Sequence, residues 1–157
     1  MLDAALTALE ASAPAALLRE SRYAYPLVNA AHILGLATLF GAILALDLRL
    51  LGLFRAVPPQ PLAQVLPRVS AAGLGLALLT GFALFSVQPL DYLAHPLFPV
   101  KLALIAAAIA HALGLRRTEA WRAMLDGGPI GARLRLSAAV SLFLWSGAIL
   151  AGRFLAF

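Results

Sequence analysis

The sequence predicts an all-α protein, an integral membrane four-helix bundle with up-down topology. Three observations carry this: four long apolar runs, few charged residues, and arginines gathered at the ends of the runs. Hydrophobic residues make up 62% of the 157-residue chain and charged residues 12%, against roughly 25% charged in soluble domains. The length leaves room for one core, so residues 1–157 read as a single membrane domain. A hydrocarbon layer of about 30 Å takes about 20 apolar residues as helix. Segments at approximately 26–46, 69–87, 97–115 and 136–155 meet that length.

Each element has its own sequence signal. Leu2, Leu6, Leu9, Leu17 and Leu18 are spaced for a short N-terminal amphipathic helix, or two, broken near Ser12-Ala13-Pro14. Such a helix is expected to lie at headgroup level. Asp3 and Glu10, with no basic stretch ahead of a continuous apolar core, argue against a signal peptide. Pro26 suits the first turn of span one, which is expected to continue as helix through Asp47-Leu48-Arg49 to Phe54. Pro58 and Pro59 are expected to stop it, and Pro61 and Pro67 punctuate the approach to span two. Short connections make successive spans antiparallel. The pairs Gly41/Ala45, Ala71/Gly75 and Ala77/Gly81 mark close helix approach, either within the bundle or between copies.

Basic residues near the span ends set the orientation. Arg49, Arg55 and Arg68 follow span one, and Arg116, Arg117, Arg122, Arg133 and Arg135 follow span three. The other side carries Arg19, Arg22 and Arg153. Eight against three, with Lys101 set aside as intramembrane, predicts cytoplasmic arginine-rich loops and both termini outside. The net charge of +5 is thus explained by a lipid bilayer, and no basic stripe with interleaved aromatics points to nucleic acid. The absence of cysteine removes disulfides, thiolate metal sites and cysteine nucleophiles. No phosphate loop, nucleophile elbow or zinc-protease motif is present.

Ionisable residues at membrane depth are the functional candidates, because each is costly unless it faces the protein interior and finds a partner. His32 lies in span one, Lys101 and His111 in span three. At about 1.5 Å per residue, His32 stands about 22 Å above Asp47, and Lys101 about 22 Å above Arg116. His111 stands only about 7–8 Å above Arg116, so it is about 15 Å out of register with His32. One haem ligated by both histidines needs them level on facing helices. His32 with Lys101 beside it is the more economical arrangement, Lys101 meeting a propionate, ligating as a neutral amine or supplying a proton. The competing reading makes His32 a structural histidine, hydrogen-bonded across helices with Asn29 one turn earlier. Lys101 has a snorkelling alternative, and His111 a helix-cap or headgroup alternative. His95 and Asp91 are read as a solvated loop or a surface metal site. Asp47 is read as the partner of Arg116 or Arg135, or as a proton-entry carboxylate, and Trp145 as core packing or a surface for a flat cofactor.

The stretch Tyr25-Pro-Leu-Val-Asn-Ala-Ala-His32, followed by Gly41-Ala-Ile-Leu-Ala-Leu-Asp-Leu-Arg-Leu-Leu-Gly52 and, in span three, Phe98-Pro-Val-Lys101-Leu, resembles a family of small bacterial four-helix inner-membrane proteins. More distantly, the early histidine of span one with the lysine of span three is similar to the haem-binding protoporphyrinogen oxidase of bacteria and to copper-resistance CopD membrane domains. By that likeness His32 and Lys101 take the places of the oxidase's haem-associated histidine and lysine. The chain departs from the oxidase in carrying Asp47-Leu48-Arg49 where the oxidase has further aromatic and histidine features. It departs from the copper proteins in having only Met1 and Met124 as soft ligands, neither within a span. The resulting expectation is a haem b protein in a redox or electron-transfer role, with His32 as the iron ligand and Lys101, His111 and Asn29 as candidate cofactor-binding residues. The alternatives are a non-catalytic assembly subunit, within a homo-oligomer or a larger membrane complex, and a copper or ion transport protein.

Overall fold

The apolar runs fold as four long helices, joined and capped by four short ones. The computed structural model describes residues 2–155, and no strand occurs among them. In chain order the elements are α1 (Leu2–Glu10), α2 (Ala13–Glu20), α3 (Ala24–Leu51), α4 (Pro59–Phe85), α5 (Pro89–Ala94), α6 (Leu97–Arg116), α7 (Glu119–Leu125) and α8 (Ala132–Phe154). Helices α3, α4, α6 and α8 are each long and apolar enough to cross a bilayer. The protein is an all-α four-helix membrane bundle.

The helix ends differ from expectation where local chemistry outweighs the apolar pattern. Helix α3 stops at Gly52, not at the prolines beyond Phe54. Gly52 takes φ 106°, a left-handed conformation open to glycine without a Cβ clash, and the Leu53 N–H donates back to the Leu48 carbonyl at 3.0 Å. Arg49 Nε then donates to the Val57 carbonyl at 2.5 Å, pinning the short loop. Helix α4 starts at Pro59, well ahead of the expected residue 69, because prolines in a first turn lack an N–H that has no acceptor there anyway. Pro67 lies inside α4 and withdraws one donor from the Ala63 carbonyl, yet the helix continues. The N-terminal segment forms two helices separated at Ala11-Ser12, and both are docked. Helix α2 packs on α3 and α4, α1 packs on α5, and Arg19 donates to the carbonyls of Glu10 (2.6 Å) and Val87 (3.2 Å). Met1 lies outside the described residues.

Helix α4 packs along α3, α3 on α8, and α8 on α6, while α4 and α6 barely meet. The inner pair is therefore α3 and α8, and the bundle is open along its α4–α6 edge. At the arginine-rich end, Leu46, Leu50, Trp121, Met124 and Leu134 form one core cluster. Leu39, Ala108 and Trp145 form a second, nearer mid-bundle. Large side chains such as Ile33, Leu79, Phe82, Leu136 and Phe143 are exposed on the bundle surface, the face a bilayer solvates.

The α3–α4 contact is a backbone contact. A methyl group placed on Gly73 would sit 2.5 Å from the Leu39 nitrogen, and one on Gly35 would sit 2.8 Å from the Ala77 nitrogen. Of the small-residue pairs marked by sequence spacing, Ala77 and Gly81 do face α3. Gly41 and Gly75 meet nothing within 4 Å and face outward. Small residues recur on more than one face of α4, and the rotation of α4 against α3 selects Gly73 rather than Gly75. Gly73→Ala is expected to destabilise the detergent-solubilised protein by about 1–3 kcal/mol, through overpacking against backbone that cannot yield. Gly75→Ala and Gly41→Ala should stay within about 0.5 kcal/mol of the parent or gain slightly, thermal unfolding in one detergent being the measurement.

Candidate functional site: two polar centres at opposite ends of the bundle

The polar residues within the spans gather into two centres. The first lies in the half of the bundle away from the arginine-rich loops. His32, half-buried on α3, has its Nδ1 3.0 Å from Thr80 Oγ1 on α4. The Thr80 hydroxyl proton is committed to the Leu76 carbonyl at 2.6 Å, so the threonine oxygen can only accept from the ring. The neutral imidazole therefore carries its proton on Nδ1 and leaves Nε2 as a lone pair. Gly81 gives the ring its place: a Cβ there would approach His32 Cε1 to 3.1 Å. Lys101 on α6 lies within electrostatic reach of His32. Its stem runs past Gly152 of α8, where an added Cβ would come 3.3 Å from Cε and 3.4 Å from Nζ. Lys101 makes no hydrogen bond or ion pair among the described residues, and it stands near enough to His32 for the two charges to interact.

Asn29 is not part of this centre. It is exposed, and the cross-helix partner of His32 is Thr80. At the adjoining end of the bundle an aromatic cluster ties the last residue of α4 to the start of α6. Phe85 and Phe98 stack with centroids 5.4 Å apart, and Tyr92 tilts against both at 5.9 Å. Burial, reinforced by Tyr25 nearby, raises the Tyr92 phenol above its ordinary range. His95 is used locally, its Nδ1 accepting from the Leu97 N–H at 3.2 Å. No group of three or more His, Cys, Asp or Glu side chains converges on a metal-sized site among the described residues.

The second centre lies at the arginine-rich end and contains Asp47 and His111. His111 Nε2 is 3.0 Å from the Ser137 carbonyl of α8 and 2.9 Å from its hydroxyl. A carbonyl only accepts, so this ring carries its proton on Nε2 and its lone pair on Nδ1. His111 thus shares no site with His32. Asp47, only 6% exposed, pairs with neither Arg116 nor Arg135. The Ser141 hydroxyl is its partner, and Oδ2 is left buried without any. A cavity of about 170 Å³ opens beside it, where α4 and α6 stand apart. Arg116, exposed, sits on the cavity's lining. Trp145 lines it from the mid-bundle core cluster and Trp121 from α7.

Sequence reading missed Thr80, Ser137, Ser141 and Gly81 as site residues, though a signal existed. Spans two and four hold few hydroxyls, and three of them each serve one ionisable residue from spans one and three. Comparison with family models, with curated proteins and with solved structures found no match. The two interior histidines should therefore differ in tautomer. ¹⁵N spectra of histidine-labelled protein above the imidazole pKa are expected to show an Nδ1–H ring that disappears in His32→Ala. An Nε2–H ring that disappears in His111→Ala should accompany it.

Proposed function

We propose that the protein binds haem b through His32 and serves in redox or electron transfer in the bacterial inner membrane. The observation that carries this reading is the state of the imidazole: Nδ1–H is held by Thr80, and Nε2 is free as a donor atom. An axial histidine is commonly oriented in this way, one ring nitrogen donating to a fixed acceptor while the other meets the metal. Haem iron takes one or two axial donors, so the donor set needed is His32 alone or His32 with Lys101, and no larger cluster. Gly81 and Gly152 keep the flanks of His32 and Lys101 clear, and α4 and α6 do not close the adjoining edge by packing. Bound there, haem would supply one-electron chemistry. Thr80 would hold the imidazole against rotation, and Lys101 would meet a propionate or, deprotonated, offer a second donor atom. His111 and Asn29 have no part in this arrangement.

Protein purified in detergent from haem-replete cells is expected to show a Soret band and about one haem per chain. His32→Ala should lose most of that absorbance, and Thr80→Val should weaken or shift it. A colourless, iron-free preparation defeats the proposal. The same preparation tests a second reading, an assembly subunit, which Gly41 and Gly75 favour by facing outward with open space beside them. In that case Gly75→Leu should convert an oligomer to monomer on size-exclusion chromatography while His32→Ala leaves the oligomer intact.

The arginine distribution supports periplasmic termini and cytoplasmic α3–α4 and α6–α8 connections. A C-terminal alkaline phosphatase fusion is expected to be active and a C-terminal green fluorescent protein fusion dark. The reverse pattern would invert the topology.

A further inference from the structure

The cavity beside Asp47 belongs to neither reading above, and its chemistry points to a ligand. A carboxylate oxygen buried in a membrane bundle without a hydrogen bond is costly, and Asp47 Oδ2 is such an atom. Of the other polar side chains on the lining, two serines and His111 have their protons committed, while the exposed Arg116 and the indole N–H groups of Trp121 and Trp145 are the remaining donors. The Ser70 hydroxyl donates to the Pro67 carbonyl at 3.0 Å, the Ser141 hydroxyl is engaged with Asp47, and His111 spends its N–H on Ser137. What the serines, His111 and the Asp47 carboxyl retain toward the cavity is acceptor capacity. The occupant that complements them is a cation with several N–H donors and no acceptor.

Two further observations fix the kind of cation. An inorganic cation such as Ca²⁺ or Mg²⁺ takes about six or more oxygen ligands, and this lining offers Asp47 and two serine hydroxyls. The remaining wall is aliphatic and aromatic, with Leu39, Ile43 and Leu74 beside Trp121 and Trp145. The volume of about 170 Å³ compares with the roughly 150 Å³ of an apolar cavity that admits benzene. That space suits a ligand of about six heavy atoms with a carbon body. Arg116 is the one basic side chain on the lining besides His111; it is exposed and takes no share of Asp47's hydrogen bonds.

We propose that this cavity binds a small primary alkylammonium ion, its nitrogen on the Asp47 carboxylate and its carbon body against Trp145 and the aliphatic wall. The site lies at the opposite end of the bundle from His32, so it is independent of haem.

The test is equilibrium dialysis of radiolabelled isopentylammonium against the purified full-length protein in detergent, with isopentanol as the neutral control. Wild type is expected to bind one equivalent saturably and isopentanol not at all. Asp47→Asn should weaken binding by about ten-fold or more, the loss of a charged hydrogen bond. Ala112→Phe keeps Asp47 and fills the space, since Ala112 lines the cavity; it should abolish binding while circular dichroism stays helical. Equal uptake by wild type and Asp47→Asn overturns the proposal, as does retained binding in Ala112→Phe. Saturable ²²Na⁺ uptake dependent on Asp47 without isopentylammonium binding also overturns it, and would make this an inorganic cation site. A Soret band absent from wild type with isopentylammonium binding intact would reject haem and leave this site standing.

Discussion

The backbone contact between α3 and α4 at Gly35 and Gly73 is the constraint on which the rest of the bundle depends. Lipid offers apolar helices little hydrophobic reason to associate, so helices that lack side-chain bulk at a crossing gain by packing backbone on backbone. Here the approach leaves no room for a methyl group on either glycine. It fixes the rotation of α4, and that rotation brings Thr80 and Gly81 onto His32. The same close pairing draws α4 toward α3 and away from α6, which leaves the edge where the Asp47 cavity opens.

Within this frame the polar groups follow one economy. A hydroxyl on α4 or α8 reaches an ionisable side chain on α3 or α6: Thr80 with His32, Ser141 with Asp47, Ser137 with His111. Thr80 also returns its own proton to its helix through the Leu76 carbonyl, so it works as a fixed acceptor. His32 and His111 are each held in one tautomer, with a lone pair left over. Asp47 Oδ2 breaks the pattern as the buried side-chain nitrogen or oxygen without a partner among the described residues. A buried carboxylate oxygen without a hydrogen bond, on a residue that lines a cavity, is the observation on which the proposed ligand rests.

The fold was largely legible in the sequence, and the site only in part. Four apolar runs and their arginine borders correspond to α3, α4, α6 and α8 because length and composition suffice for a membrane helix. Helical rise alone set His111 apart from His32, and the structure holds the two on different partners, Ser137 and Thr80. Helix ends at Gly52 and Pro59 were misjudged, since a left-handed glycine and a first-turn proline act through one or two residues rather than through the average of a run. Asn29 and the arginine partners of Asp47 were misjudged because sequence distance along one helix says nothing of what a neighbouring helix presents.

By itself the sequence determined the class of protein, the number of long helices and the height of each ionisable residue along them. All of these follow from composition and a constant rise per residue. Which small residues form the crossing, which hydroxyl meets which titratable group, and where the bundle stays open were decided only in the tertiary structure. Those choices depend on how each helix is rotated about its own axis. Ala71/Gly75 and Ala77/Gly81 present the same spacing to a reader of the chain. Only the seat of Gly73 against Leu39 turns the second pair inward and leaves Gly75 facing out.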